Sequence, residues 1–339
     1  MASDPAVQLD EAFGSFPALI AAWGAYRGDA DALYDGTTTL SWRQTAALVE
    51  RIAARLQADG LERGQAVAIL GTTTVNYALI YLAAIRAGGC AAPLTTSASP
   101  EQLAGMAADS GAKHLFIDRA KLTELGDFTL PTECQIVLDE ELDSFMAPEG
   151  TMAAPFEPAE TDPLNIIYSS GTTGIPKGIV HSHGGALAIG LVQAGLHWDL
   201  EPGERFFWYS STGWIMWNLQ VMGLLAGCTI CLFDGAVTGP VQGTPDWMTL
   251  WRFVDRNRVA LFGAGAAFHA SCQKQGLSPR RDLSLGALKT IGSTGSPLSP
   301  ECYRWIYEAV KPDVWLMSTA GGTDIAGAFL IGSPTLPVY

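Results

Sequence analysis

Tyr168-Ser169-Ser170-Gly171-Thr172-Thr173-Gly174-Ile175-Pro176-Lys177-Gly178 decides the reading of this chain. An apolar run at residues 164–167 precedes it and reads as a short buried strand; Gly178-Ile179-Val180-His181 follows as a second strand. A loop this rich in Gly and hydroxyls, closed by one Lys, suits a polyphosphate. The glycines let backbone N–H groups turn inward and approach an anion, the hydroxyls add donors, and the ammonium supplies a point charge. The usual nucleotide P-loop has Gly directly before its Lys and Ser or Thr directly after it. Here Pro176 precedes Lys177 and Gly178 follows, so a conventional P-loop is disfavoured.

Working outward, the flanking sequence alternates in period. Residues 17–23 read as an apolar helix, and residues 33–34 and 38–40 as a hairpin around Asp35-Gly36. Ser41 with Gln44 forms a capping-box pattern before a helix that Gly60 ends. Strands at 66–70, 90–94 and 113–117 then alternate with helices at 75–87 and 100–110. A second block repeats the plan with strands at 206–209, 228–233 and 259–262 and helices at 214–225 and 246–257. A third carries helices at 266–275 and 299–310 and strands at 289–291 and 314–317. The helix-to-strand junctions match, Arg86-Ala-Gly-Gly-Cys-Ala in the first block and Leu225-Ala-Gly-Cys-Thr in the second. Such alternation predicts an α/β fold of mostly parallel sheets covered by helices. We expect two similar subdomains, 1–162 and 163–339, with the Pro-rich, acidic segment 139–162 as connector.

Composition narrows the function. The chain has 339 residues, 48% hydrophobic and 16% charged, and a net charge of −14. That balance argues against nucleic acid or an anionic membrane as the main partner. From Phe206 to Phe233 there is no charged side chain, yet Gly213, Asn218, Gln220, Gly223 and Gly227 interrupt the run, so no membrane span is expected. The six cysteines are scattered; Cys228 and Cys231, in a strand-like run, would point to opposite faces and share no metal. All six read as small buried residues in a reducing cytoplasm.

The stretch at 168–178 resembles the phosphate-binding signature of the adenylate-forming superfamily, which includes acyl-CoA synthetases and peptide-synthetase adenylation domains. The resemblance runs from about residue 13 to the end of the chain. It implies activation of a carboxylic acid with ATP as an acyl-adenylate, then transfer of the acyl group to a thiol such as CoA. It assigns Ser169, Ser170, Gly171, Thr172, Thr173, Gly174 and Lys177 to the ATP phosphates.

Two further loops follow predicted strands, where ligands of open parallel sheets bind. Gly292-Ser293-Thr294-Gly295-Ser296-Pro297 is, from its residues, equally a turn before the Ser299 helix cap. The resemblance implies that Gly295, Ser296 and Pro297 line adenine and ribose. In Ser318-Thr319-Ala320-Gly321-Gly322-Thr323-Asp324, it implies Thr323 on the α-phosphate and Asp324, in place of the usual Glu, on Mg²⁺. Gly213-Trp214-Ile215-Met216-Trp217-Asn218 is similar to the acyl-side helix of acetyl- and acetoacetyl-CoA synthetases. This makes Trp214, Asn218, Gly321 and Gly322 the expected acyl pocket, although two Trp are also ordinary core. Gly321 stands where acetyl-CoA synthetases carry a Trp that closes the pocket, so an acid longer than acetate, acetoacetate-like or medium-chain, is expected. Asn218 stands where many relatives have His or another aromatic. His181 and His183 read as structural or pocket-wall residues, since an ionised carboxylate needs no base.

Relatives continue with a small β-rich subdomain and a mobile C-terminal domain that supplies a Lys. The sequence given stops before both, and the expectation is weak nucleotide binding with little turnover. Two other readings remain: an adenylation domain loading a carrier protein, and a nucleotide-binding module without turnover. The first would usually show an acidic residue near Trp214, and none lies between Phe206 and Phe233.

Overall fold

The computed structural model describes residues 15–169, 176–240 and 244–338. Strands β1 (Asp31–Tyr34) and β2 (Thr39–Ser41) form the antiparallel hairpin expected around Asp35-Gly36. Its turn is held by the Asp35 carboxylate, which accepts from the backbone N–H groups of Thr37 and Thr38 at 3.0 and 2.8 Å. Ser41 and Gln44 close a complete capping box on the helix Trp42–Ala58.

The first α/β block carries β3 (Ala66–Leu70), β4 (Cys90–Pro93), β5 (His114–Ile117) and β6 (Cys134–Val137). The helices Val75–Arg86, Pro100–Ser110 and Arg119–Leu125 separate them; the last of these and β6 carry no strong sequence pattern. Next come β7 (Pro163–Ser169) and β8 (Lys177–Ser182), then β9 (Arg205–Trp208), β10 (Thr229–Cys231), β11 (Leu261–Gly265), β12 (Thr290–Thr294) and β13 (Trp315–Ser318). A last pair, β14 (Ala320–Gly322) and β15 (Gly327–Leu330), is antiparallel.

Two large sheets result, ordered β6-β5-β3-β4-β7-β8 and β13-β12-β11-β9-β10-β1-β2. All pairs are parallel except β7 with β8 and β1 with β2. The sheets do not divide the chain at residue 162. β7 and β8 extend the first block's sheet, and β1 sits beside β10 of the second. Strand periodicity is local, whereas a parallel partner is chosen by packing across many residues. The segment 139–162 is mostly irregular, with one short helix at Leu142–Phe145.

The sheets meet through helices. Trp217 of the helix Ile215–Met222 packs edge-on against Tyr77, ring centroids 5.2 Å apart, and lies near Tyr81 of the helix Val75–Arg86. Thr212 donates its hydroxyl to the Gly71 carbonyl at 3.0 Å across the same junction. Inside the second sheet the Trp208 indole lies over two adjacent glycines, Gly263 of β11 and Gly292 of β12, where a Cβ would strike the ring. Trp208 in turn stacks on Trp198 at 5.9 Å. All six thiols are free; Cys134 is half-buried rather than buried, because it opens the edge strand β6, and the other five are buried.

Candidate functional site

The loops after β12 and β13 close around one cavity of about 570 Å³. Trp214, Gly295, Ser296, Pro297, Gly321, Gly322 and Thr323 all line it. The two loops are tied together: Thr319 N–H donates to the Ser293 carbonyl at 2.8 Å, and the Thr294 hydroxyl to the Thr319 carbonyl at 3.1 Å. Gly295 has φ +86°, a left-handed conformation that costs glycine nothing, and it turns the chain away beside Trp214. The two tryptophans of the 213–218 stretch divide: Trp214 faces the cavity, while Trp217 is fully buried core.

Thr323 and Asp324 begin a short 3₁₀ turn between β14 and β15. Asp324 is exposed beside the cavity. Gly321 does line the cavity, but its missing side chain is not what opens it. A Cβ at 321 would fall on the Gly327 carbonyl of β15, so glycine is required here by the close approach of two strands.

Ser169 and Lys177 pair across the end of the β7–β8 hairpin. Ser170, Gly171, Thr172, Thr173 and Gly174 lie outside the described residues. Lys177 and His181 are four residues apart on β8 and so share one strand face. That face meets the Thr323 turn: His181 Nε2 is 2.6 Å from the Thr323 carbonyl oxygen, and its Nδ1 is 2.6 Å from the side-chain amide of Asn165. Burial holds His181 below its ordinary pKa, although the Thr323 carbonyl and the Asp324 charge pull upward. A neutral imidazole donates once, and the Thr323 carbonyl can only accept. The ring therefore carries its proton on Nε2, with Nδ1 facing the Asn165 side-chain amide.

The polar chain continues inward. Asn165 also meets the Tyr81 hydroxyl and Asn218, at 2.9 and 2.8 Å, and Tyr81 lies 2.5 Å from Asn218. Asn218 is fully buried and does not line the cavity. It is thus a buried brace behind the expected acyl pocket, not part of its surface. Its side chain meets Tyr81 and Asn165. His183 is 2% exposed and packs against Phe156; burial pushes it down to about 4.

Sequence patterns passed over a lining residue, Gln193. The weak signal is one amide inside the apolar run Leu187-Ala-Ile-Gly-Leu-Val-Gln-Ala, which the helix His183–Leu191 and a π-helical turn, Val192–His197, carry past the cavity.

Two parallel-rich sheets, with loops from strand ends converging on one cavity, define an α/β protein with its ligand site at the carboxyl edge of a sheet. The chain belongs to the AMP-binding enzyme family, whose model matches residues 20–337. It is 45% identical over 177 residues to the acetoacetyl-coenzyme A synthetase of Rhizobium meliloti (strain 1021), an alignment covering 52% of this chain and 26% of that protein. The malonamoyl-CoA synthetase vrtB of Penicillium aethiopicum is 39% identical over 186 residues, 52% of this chain and 26% of its own length. Among solved structures, acetoacetyl-CoA synthetase from Streptomyces lividans superposes with a TM-score of 0.86 and 33% identity, over 96% of this chain and 54% of that one. The chain thus matches about a quarter of these curated relatives and about half of the solved synthetase. Among the described residues, no helix is long and apolar enough to cross a membrane.

Proposed function

We propose that this chain carries the acid-activating site of an AMP-forming acyl-CoA synthetase, with ATP, Mg²⁺, a small carboxylic acid and CoA as its reactants, in the cytoplasm. The observation that carries this reading is the convergence of Thr323, the 295–297 loop and Trp214 on one cavity, with the Lys177 hairpin tied to the Thr323 turn. In the reaction, an oxygen of the substrate carboxylate attacks the α-phosphorus of ATP and pyrophosphate leaves. Lys177, Ser169 and the loop between them hold the departing phosphates. The Thr323 hydroxyl faces the α-phosphate, and Gly295, Ser296 and Pro297 bear on adenine and ribose.

Mg²⁺ would come with the phosphates and be held by Asp324. A single exposed carboxylate fits that role, because Mg²⁺ keeps most of its ligands as water and phosphate oxygen. Among the described residues no group of three His, Cys, Asp or Glu is placed to hold a metal. No general base is needed, and among the described residues neither nearby histidine offers one: both ring nitrogens of His181 are engaged, and His183 is sealed in the core.

The acid side of the cavity is walled by Trp214, Met216, Leu219 and the Gly321-Gly322 backbone. The acid expected here is longer than acetate, acetoacetate-like or medium-chain. The names of the relatives, acetoacetyl and malonamoyl, both denote acids with a second carbonyl. Carrier-protein loading is the weaker alternative, since Trp214 has no acidic neighbour on its helix for an amino group.

The test is acid-dependent ATP–pyrophosphate exchange with acetate, acetoacetate, butyrate, medium-chain and aryl acids. Exchange with one acid class that Lys177→Ala abolishes supports the reading. ATP binding without exchange for any acid would leave a nucleotide-binding module without turnover. CoA against a carrier protein as acceptor separates the synthetase from the carrier-loading alternative.

A further inference from the structure

Gln193 is 3% exposed, and neither polar atom of its amide has a hydrogen-bond partner among the described residues. It nevertheless lines the cavity shared by Trp214, Thr294 and Thr323. The π-helical turn Val192–His197 puts it there, with Trp198 N–H donating to the Gln193 carbonyl at 2.7 Å. Such turns recur at functional sites, because the extra residue redirects side chains that a regular helix would aim elsewhere. Trp198 lines the same cavity, is 3% exposed, and has an indole N–H that also lacks a partner.

The position of the amide is informative. A Cβ on Gly327 would lie 2.5 Å from Gln193 Nε2, so the amide rests against the β15 backbone. Gly327 pairs with Gly322, the residue before Thr323. The amide therefore sits one strand pair from the turn assigned to the α-phosphate, the atom group that the acid's carboxylate attacks. Burying an amide without partners is unfavourable unless a ligand or water pairs it. A saturated acid would leave it unpaired. An acid with a carbonyl oxygen close to its carboxyl group would not.

We propose that Gln193 determines acid specificity, donating an amide N–H to a carbonyl oxygen of the substrate's acyl chain and so selecting a short 3-oxo acid over its saturated counterpart. This rests on the acid-activating reading above. A site built to hydrogen-bond its substrate rejects the analogue lacking that group far more strongly than an apolar pocket rejects a change in size.

The experiment is calorimetric titration of the 339-residue chain, loaded with Mg²⁺ and a non-hydrolysable α,β-methylene ATP analogue, with acetoacetate and with butyrate. The unmodified chain should bind acetoacetate at least about 30-fold more tightly than butyrate. Gln193→Met, close in shape but without the amide, should bring the two within about 3-fold. Gln193→Glu, which removes the donor and adds a like charge, should abolish acetoacetate binding, and it serves if the Met variant does not fold. Equal affinities in the unmodified chain, or an unchanged ratio in Gln193→Met, would overturn the inference and leave the acid-activating reading standing. Binding of the analogue with neither acid would overturn both.

Discussion

His181 and Thr323, 142 residues apart, are joined by a 2.6 Å contact between the ring Nε2 and the main-chain carbonyl. The outermost strand of the six-stranded sheet thereby holds the turn at the mouth of the cavity. Replacing His181 with Ala leaves the half-buried Thr323 carbonyl and the Asn165 amide without their partner. The loss should be about 1–3 kcal/mol of stability, read from urea unfolding. ATP affinity should fall about tenfold, because the turn is no longer fixed. A folded His181→Ala chain with unaltered ATP affinity would show that the contact serves stability alone.

Among the described residues Asp324 belongs to no group of three His, Cys, Asp or Glu that could hold a metal, so its own charge should govern its effect. Asp324→Asn is expected to raise the Mg²⁺ concentration needed for half-maximal ATP binding by about tenfold or more. Asp324→Glu should restore most of it, being charged and one methylene longer. Equal Mg²⁺ dependence in the Asn variant would remove the metal role from this residue.

Gly263 offers a sharp contrast with Gly105. A Cβ at 263 would strike the Trp208 indole, whereas one at 105, inside the helix Pro100–Ser110, meets nothing within 4 Å. Gly263→Ala should destabilise by about 1–3 kcal/mol or more through overpacking. Gly105→Ala should stabilise by about 0.5–1 kcal/mol through helix propensity. Chemical denaturation of the two variants side by side decides the matter, and similar small effects would mean that Trp208 can move aside.

Stability should fall on mild acidification. Burial lowers both His183 and His269 from 6.5 to about 4, so the folded chain keeps them neutral. Between these values the unfolded chain binds more protons, and unfolding gains as pH drops. The contribution is complete above pH 6.5 and is lost progressively toward about pH 4. Each histidine adds up to about 1.4 kcal/mol per pH unit within that window. Urea midpoints at about pH 7.5 and 5.5, above the carboxylate range, read this directly. His269→Phe should flatten the slope; an equally steep slope would exclude His269 as its source.

Much of the architecture was legible in sequence because its signals are local. The capping box Ser41–Gln44, the hairpin at Asp35-Gly36 and the positive-φ glycines Gly88 and Gly227 depend on a few neighbouring residues. The same holds for the strand-end loops carrying Gly295 to Pro297 and Gly321 to Thr323, which tertiary structure gathers around one cavity. What folding alone decided is partnership. β1 and β2 join the sheet of the later block, and β7 and β8 that of the earlier one, because pairing is settled by packing between distant segments. Asn218, expected in the acyl pocket, is drawn inward by Tyr81 and Asn165, which no spacing in the chain predicts. Gly321 owes its glycine to the β15 carbonyl opposite, not to an absent indole. Gln193 is an unremarked amide in the sequence, and its meaning comes from being buried against a cavity with no partner of its own. Residue type sets what a group can bind; only the fold decides what it is left to bind.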